Sequence, residues 1–372
     1  MILDTLQPIP GNSRHKQPLV IEALTDLARR LGPEAKLPTA RELSRALGVT
    51  GATLARCLEQ LEGRGVLRCL QGSGIYVEAG VMQKRVALVF GENIFSAATS
   101  QFGSLLLQYS VARATASNER FSFFLDTPAS NGVINGSSVP VHQDLVDAVK
   151  DGKIDGIILV ARSSVEQEAW LRSQGIPLVT AKARSGAFVE GCFDFDYRKL
   201  ICLGVENLVK AGCRTVGLFG AMAEHKEMFC AALKSFGLPE KTLWIDAPIN
   251  DDHSFPAELH EQFGSEMAKR FLVNCGCRTK KSIATADLPE GLVISDDMMA
   301  LGALPVLARN GIKLGKQLKV ASHCNKGSST LSAWENVITL LPFDPEEMVA
   351  ALFKDLEAQM NGTAPLNRPA NP

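Results

Sequence analysis

The sequence predicts an α/β protein with an N-terminal helix-turn-helix and β-hairpin, followed by a two-lobed body of parallel sheets with helices on both faces. Residues 37–77 predict the first part, because two short helical patterns joined by a Gly-Val-Thr turn precede two short strands around Gln71-Gly72-Ser73-Gly74. From residue 85 onward, short apolar runs alternate about nine times with helical patterns, which is typical of parallel sheets. A length of 372 residues suits two or three domains.

Composition and charge favour a soluble chain with a basic N-terminal part. Hydrophobic residues make up 46% of the chain, and no run of about 18 apolar residues occurs, so we expect no membrane span. The N-terminus lacks the order of a signal peptide, and nine scattered cysteines are typical of free thiols, so we expect a cytoplasmic location. From Arg14 to Arg85, twelve Lys and Arg outnumber seven Asp and Glu, whereas the whole chain has a net charge of −1. This asymmetry favours contact with nucleic acid at one end.

Helix caps and glycines set the N-terminal elements. Pro18 opens a first helix with an apolar stripe of roughly 3.6-residue period. Thr39 caps a second helix, with Glu42 at the capping-box position, and Thr50 caps a third that ends near Gly63. Strands are predicted at 66–70 and 75–77. A helix-turn-helix followed by a hairpin is a winged helix, which places one helix in the major groove of DNA.

The body is predicted to contain two doubly wound lobes that close on a ligand between them. Ligands bind outside the carboxyl ends of such strands, and two facing lobes can close by hinging. Residues 130–138 are Gly-, Asn- and Ser-rich and are expected to form a loop. The predicted strands are 85–90, 121–125, 155–160, 177–181, 215–220, 242–247, 291–296 and 318–323. The predicted helices are 102–115, 145–149, 165–173, 200–211, 226–236, 260–275 and 298–310.

The N-terminal module resembles the GntR-type winged helix, which implies a DNA-binding domain. The matching runs are Leu37-Pro38-x-x-Arg41-Glu42-Leu43, Leu47-Gly48-Val49-Thr50, Leu58-x-x-Leu61-Glu62-x-x-Gly65 and Gln71-Gly72-x-Gly74-x-x-Val77. The family usually has arginines in the third helix where this chain has Gly51 and Ala55. The chain offers Thr50, Thr53 and Arg56 instead, so the resemblance supplies no operator sequence.

The rest of the chain resembles the effector-binding body of the lactose-repressor family, itself similar to type 1 periplasmic sugar-binding proteins. The runs that carry this resemblance include Ile154-Asp155-Gly156-Ile157-Ile158-Leu159, Gly175-Ile176-Pro177-Leu178-Val179, Leu203-Gly204-Val205-Glu206-Asn207-Leu208 and Ser295-Asp296-Asp297-Met298-Met299-Ala300-Leu301-Gly302-Ala303. Together the two halves resemble the arabinose-repressor arrangement. The family arginine that grips sugar hydroxyls falls at His225 or Lys226, and the family aspartate before the last crossover falls near Cys324.

The resulting domain prediction has three parts. Residues 1–80 form the winged helix with an N-terminal arm, residues 81–85 form a linker, and residues 86–372 form the two-lobed body. The first lobe is expected at about 86–194 and 320–336, and the second at about 195–319 and 337–372.

Six residues of the N-terminal module are candidates for DNA contact: Arg41, Thr50, Thr53, Arg56, Gly72 and Gly74. The guanidinium of Arg41 could donate hydrogen bonds to a guanine edge or a phosphate, or it could instead form an ion pair with Glu42 or Glu62. Thr50 has a helix cap as its alternative role, and Thr53 and Arg56 lie near each other on the third helix. The two glycines allow a tight wing turn, which is also what an ordinary hairpin needs.

Seven residues of the body are candidates for ligand contact: Asn93, Phe102, Arg162, Arg184, Asp196, His225 and Asp297. Asp297 and Asp196 can accept hydroxyl groups of a polyol, with helix capping as the alternative. Phe102 could instead be an ordinary core residue. Arg162 and Arg184, with Lys182, follow the third and fourth strands and would favour a sugar acid or sugar phosphate. The preferred expectation is a neutral sugar.

The sequence contains no enzyme motif, so we expect neither catalysis nor a cofactor. It lacks the phosphate-binding loop, the nucleophile elbow and the zinc-protease helix, and Cys275-Gly-Cys277 lacks metal-site spacing. The resemblances imply a ligand-responsive regulator, expected to be a repressor of carbohydrate-related genes. They also imply a homodimer on a near-palindromic operator. The alternatives are a solute-binding protein of a transport system and an enzyme fused to a GntR-type reader.

Overall fold

A computed structural model gives the fold of most of the chain. No helix within the described part is long and apolar enough to cross a membrane. The structure describes residues 6–10, 16–90, 94–117, 119–125, 132–134, 137–139, 141–160, 165–181, 192–193, 195–220, 224–239, 244–246, 259–277 and 287–364.

The N-terminal module is a winged helix, as predicted. Its elements are α1 (Lys16–Leu31), α2 (Ala40–Leu47), α3 (Gly51–Gly63), β1 (Leu67–Leu70) and β2 (Gly74–Val77). Thr39 and Glu42 form the predicted capping box at the start of α2, and Gly48 ends α2 in a left-handed conformation with φ 63°. The strands pair antiparallel, with Leu70 opposite Gly74. The apolar faces of the three helices and the hairpin bury one shared core, which includes Leu24, Leu43, Leu54 and Leu67.

The first lobe contains a five-stranded parallel sheet in the order β4-β3-β7-β8-β9. Its elements are β3 (Lys84–Phe90), α4 (Phe102–Ala116), β4 (Glu119–Leu125), β5 (Gly132–Ile134), β6 (Ser137–Val139), α5 (Gln143–Lys150), β7 (Gly156–Val160), α6 (Val165–Ser173), β8 (Leu178–Ala181) and β9 (Cys192–Phe193). The prediction of a loop at 130–138 is wrong for residues 132–134 and 137–138, because β5 pairs antiparallel with β6 there. Asn135-Gly136 between these strands is the hairpin signal that this prediction overlooked.

The second lobe contains another five-stranded parallel sheet, in the order β11-β10-β12-β13-β14. Its elements are α7 (Tyr197–Lys210), β10 (Val216–Gly220), α8 (Glu224–Ser235), β11 (Trp244–Asp246), α9 (His260–Asn274), β12 (Gly291–Ile294), α10 (Asp297–Arg309), β13 (Lys319–Asn325) and β14 (Thr339–Phe343). Gly264 and Gly302 allow α9 and α10 to touch, since a Cβ at either position would overlap a main-chain carbonyl oxygen of the other helix. This close contact fixes the start of α10, where Asp297 lies.

The last helix, α11 (Pro345–Met360), returns to the first lobe. It packs on α4, β7 and β8, with Leu352 and Phe353 in the first-lobe core. The expected lobe assignment of the C-terminal segments is therefore wrong. Residues 319–325 pair in the second sheet as β13, between β12 and β14, and α11 completes the core of the first lobe. The boundaries at residues 80 and 85 stay a proposal.

Arg85, at the start of β3, joins the first lobe to the winged helix. Nε and Nη2 of Arg85 donate to the carboxylate of Asp155 at 2.9 and 2.7 Å, and Nη1 donates to the main-chain oxygen of Arg64 at 3.2 Å. Burial alone would raise the pKa of Asp155, but its hydrogen bonds and the charge of Arg85 hold it below its ordinary value. The side chain of Arg64 also lies against Gly152, which follows α5. We call this contact the junction.

Candidate functional site

Helices α2 and α3 present exposed arginines on the surface of the winged helix. Arg41 is exposed and forms no ion pair or hydrogen bond with any described residue. The two carboxylates that could have paired with it have other partners. Glu42 accepts hydrogen bonds from the amide and hydroxyl of Thr39 at 2.8 and 2.7 Å, and Glu62 accepts from the amide of Cys69 at 3.0 Å. Arg41 is therefore available to a partner outside the chain.

The threonines at the start of α3 have a local role. The hydroxyl of Thr50 accepts the amide proton of Thr53 at 3.2 Å and caps the helix, and the two hydroxyls lie 2.9 Å apart. The capping alternative named for Thr50 is thus present. Arg56 is exposed on the same helix, with no hydrogen bond or ion pair to the described residues. Of the candidates on α3, Arg56 has the side chain that is most available for contact.

The wing turns on two glycines with positive φ, 74° at Gly72 and 130° at Gly74. A Cβ at Gly74 would lie 2.8 Å from Cε of Lys36, so the lysine side chain crosses the wing there. Nζ of Lys36 lies 5.6 Å from the centre of the Tyr76 ring, and the Tyr76 hydroxyl lies 2.9 Å from that of Ser73. Lys36 and Tyr76 are not among the residues predicted from the sequence, because no local pattern reveals the main-chain bridge between them.

Between the two lobes, Asp297 stands at the centre of a polar network. Its carboxylate accepts hydrogen bonds from the Ser100 hydroxyl at 3.2 and 3.3 Å and from Nδ2 of Asn325 at 3.0 Å. Ser100 follows β3 of the first lobe, whereas Asp297 and Asn325 follow β12 and end β13 of the second. Burial, followed by the negative charge of Asp296, raises the pKa of Asp297 to about 7. This network joins the lobes where parallel sheets place their ligands.

Asp296 performs the helix-capping role that had been the alternative for Asp297. Its carboxylate accepts the amide proton of Met299 at 2.9 Å and contacts Nδ1 of His260 at 3.1 Å. Burial alone would raise the pKa of Asp296, but the charge and hydrogen bond of His260 hold it below its ordinary value. Asp297 lies next to this cap and is left facing the space between the lobes.

A small space of about 30 Å³ lies at this network. It holds about one water molecule and is too small for a sugar, so a ligand would require the lobes to separate. The described residues around it include neither lysine nor arginine, and they are Ser100, Phe102, Phe195, Tyr197, His260, Ser295, Asp296, Asp297, His323 and Asn325. Rings are close-packed on one side, with Phe102 and Phe195 centred 4.9 Å apart. We call this space and its lining the cleft.

The structure brings two of the predicted ligand residues to the cleft. Asp297 and Phe102 both line it, although Phe102 is only 3% exposed and also belongs to the first-lobe core. Asp196 is exposed and accepts the amide proton of Lys199 at 2.8 Å, so it has the capping role that was its alternative. The predicted candidates Asn93, Arg162 and Arg184, with Lys182, lie outside the described residues.

His225 lies one layer behind the cleft. Its ring is fully buried, and Nδ1 is 3.0 Å from the hydroxyl of Ser295, which does line the cleft. Burial lowers the pKa of His225 to about 4, so the ring is neutral at pH 7 and is not a cation for an anionic ligand. The polar group expected near Cys324 is Asn325, one residue further along β13.

Comparisons with known proteins match the two parts of the chain separately. Residues 20–77 match the family model of bacterial regulatory proteins, gntR family, and residues 205–371 match the periplasmic binding protein-like domain. No curated protein sequence matches the chain significantly. Both predicted resemblances are thereby confirmed, as is the predicted fold class. These families describe a DNA-binding regulator rather than an enzyme, and the winged helix argues against a solute-binding protein of a transport system.

Solved structures of regulators share the fold. A complex of the transcriptional regulator CelR with cellobiose has 16% identity and a TM-score of 0.58, covering 90% of this chain and 96% of that one. A LacI transcriptional regulator from a Rhodococcus species has 19% identity and a TM-score of 0.55, covering 75% and 91%. The lac repressor dimer bound to operator and anti-inducer has 14% identity and a TM-score of 0.55, covering 76% and 89%.

Proposed function

From a gntR-family winged helix joined to a periplasmic-binding-protein-like body, we propose that this protein is a cytoplasmic repressor of carbohydrate-related genes that responds to a sugar-like effector. The observation that carries the proposal is the Ser100–Asp297–Asn325 network, which links the two lobes by hydrogen bonds in the same chain as a DNA-binding module. A ligand that replaces these contacts changes how the lobes meet. It can shift the protein between states only if it binds those states with different affinity.

The DNA partner is a double-stranded operator, bound by a homodimer. The winged helix supplies Arg41 and Arg56 without competing carboxylates, which suits phosphate and base-edge contacts. A two-fold dimer would present two such modules to a near-palindromic site. The lac repressor, which shares the fold of the body, has been solved as a dimer on its operator.

The effector is a neutral, hydroxyl-rich molecule such as a sugar. Asp297, Asn325 and Ser100 offer acceptors and donors for hydroxyl groups, and the Phe102 and Phe195 rings offer an apolar surface for a sugar ring. The described lining has no lysine or arginine that would favour a carboxylate or phosphate. The CelR structure was solved with cellobiose, which is consistent with a carbohydrate in this fold.

DNA binding and effector binding are tested on the full-length protein and on a chain lacking residues 1–80. The full-length protein should bind a selected operator, and the shortened chain should lose all specific affinity. Equal operator binding by both chains would refute the assignment of the winged helix as the DNA reader.

The effector is identified by a thermal-shift screen with neutral sugars, sugar acids and sugar phosphates, followed by calorimetry. A ligand at about 100 times its Kd should stabilise the protein by roughly 2.7 kcal/mol. Asp297→Ala should abolish the response to the effector and leave operator affinity nearly unchanged, because the two sites lie in different domains. Unchanged effector affinity in this variant would contradict the placement of the site, and tight binding of sugar acids alone would contradict a neutral effector.

A further inference from the structure

The outward face of α3 has short side chains where a recognition helix first meets DNA. Gly51, Ala52 and Ala55 are exposed in its first turns, whereas Leu54 and Cys57 are buried on the opposite side. At 3.6 residues per turn, position 52 lies in line with positions 56 and 59 along the centre of the exposed face, and position 55 lies beside this line. The N-terminal residues of a recognition helix are those that reach base edges in the major groove.

Packing within the chain does not require these short side chains. A Cβ added at Gly51 would meet no atom within 4 Å, and this residue lies outside the left-handed region of φ that favours glycine. A longer residue would also fit the fold at an exposed alanine. The short face is therefore better explained by a close approach to a partner, and the proposed function already places operator DNA at this helix.

Arg56 is the basic side chain at the centre of this face. Its guanidinium is exposed and makes no hydrogen bond or ion pair with the described residues, including Glu59 three positions later. A guanidinium forms two hydrogen bonds to O6 and N7 of guanine, and an alanine methyl packs on the C5 methyl of thymine. Arg41 lies on α2, away from this central line, and suits the phosphate backbone.

We propose that α3 reads each half-site through one guanine, held by Arg56, and through adjacent thymines whose C5 methyl groups pack on Ala52 and Ala55. This inference rests on the proposed function and specifies its DNA partner. The half-site is then defined by thymine methyl groups and a single guanine.

The first test uses full-length wild-type protein and changes only the DNA. Binding sites are selected from a randomised duplex library, and the selected duplex is resynthesised with deoxyuridine for single thymidines or 7-deazaguanine for single guanines. Deoxyuridine at the contacted thymines should weaken binding about fourfold for each lost methyl group. Loss of N7 at the contacted guanine should weaken it by about 5-fold or more, within the range of a guanine contact.

The second test assigns each effect to a side chain. In Arg56→Ala the 7-deazaguanine effect should vanish, and in Ala52→Gly and Ala55→Gly the deoxyuridine effect should shrink. Arg30→Ala is the matched control, because Arg30 is an exposed arginine of the same domain on α1, and it should keep both effects.

A selected duplex that tolerates both base analogues would overturn the inference, as would base-analogue effects that stay unchanged in the Arg56 and alanine variants. The wild-type measurement with modified duplexes decides the matter even where a variant fails to fold. Failure to select any duplex would refute the proposed function instead, so the two failures are distinguishable.

Discussion

Replacing Asp297 by asparagine should stabilise the protein more strongly as the pH rises. In the folded protein the carboxyl group of Asp297 is 1% exposed, and burial followed by the charge of Asp296 raises its pKa from 3.8 to about 7. The folded state therefore binds a proton more tightly than the unfolded chain does. Stability from this group is fully present below pH 3.8 and is lost as the pH rises through about 7.

The size of the loss follows from the difference in pKa. A difference of about 3, at 1.36 kcal/mol for each pKa unit, gives roughly 4 kcal/mol over the whole range. Of this, about 2.5 kcal/mol falls between pH 5 and pH 8. Asparagine has nearly the same shape and keeps one oxygen that can accept from Ser100 or Asn325, but it has no proton to lose. The gain of Asp297→Asn over wild type should therefore grow by that amount across the interval.

Thermal unfolding of the full-length proteins at pH 5, 6, 7 and 8 measures this difference. The melting temperature of the variant relative to wild type should rise by roughly 5 °C from the lowest to the highest pH. Asp196→Asn is the control, because it makes the same change at an exposed helix cap where asparagine caps equally well. A difference that is constant with pH, or one that falls as the pH rises, would refute the role assigned to the burial of Asp297.

Three further outcomes follow from the described contacts. Burial lowers the pKa of His225 to about 4, so the buried neutral ring stabilises the fold above pH 6.5 and this stabilisation is lost as the pH falls towards 4. The melting temperature of His225→Asn relative to wild type should therefore rise as the pH falls from 6.5 to 4. Arg41→Ala should weaken operator binding by about 1–3 kcal/mol across different operator sequences in fluorescence anisotropy, and no change would place Arg41 outside the interface. Asp155→Asn should release Arg85, weaken its contact with the main chain of Arg64, and speed proteolysis in segment 78–84, where Ala79 and Met82 are exposed, with Asp151→Asn as the surface control.

The N-terminal module could be predicted from the sequence because its signals are local. Thr39 with Glu42 and Thr50 with Thr53 cap their helices over a span of three residues, and the structure contains both caps. Gly72 and Gly74 mark the wing in the same way, through backbone conformations that glycine favours. Strand and helix positions in the body were also predicted well, since apolar runs and helical stripes persist over many residues.

The lobe assignment at the C-terminus failed because the sequence of a strand does not indicate which sheet the strand joins. Only the pairing of β13 with β12 and β14 places it in the second lobe. Ser100 and Asn325 of the cleft could not be predicted for a related reason. Ser100 and Asn325 are separated by 225 positions, and no local pattern links them. Asp296 and Asp297 are neighbours, and only the fold shows which of the two caps α10.

The positions of the junction and the cleft constrain how an effector can act on DNA binding. Arg85, at the start of β3, donates both to the main chain of Arg64 and to Asp155, just before β7, so the winged helix contacts the first lobe at the amino ends of two paired strands. Ser100 belongs to the segment after β3, at the opposite, carboxyl end of the same sheet. Because β3 is hydrogen-bonded to β4 on one side and to β7 on the other, it is held rigidly in the sheet. We therefore expect the winged helix to move together with the first lobe. An effector that changes the contact between Ser100 and Asp297 should therefore alter the distance between the two winged-helix domains of a dimer. Each winged-helix domain should keep its position on its own first lobe.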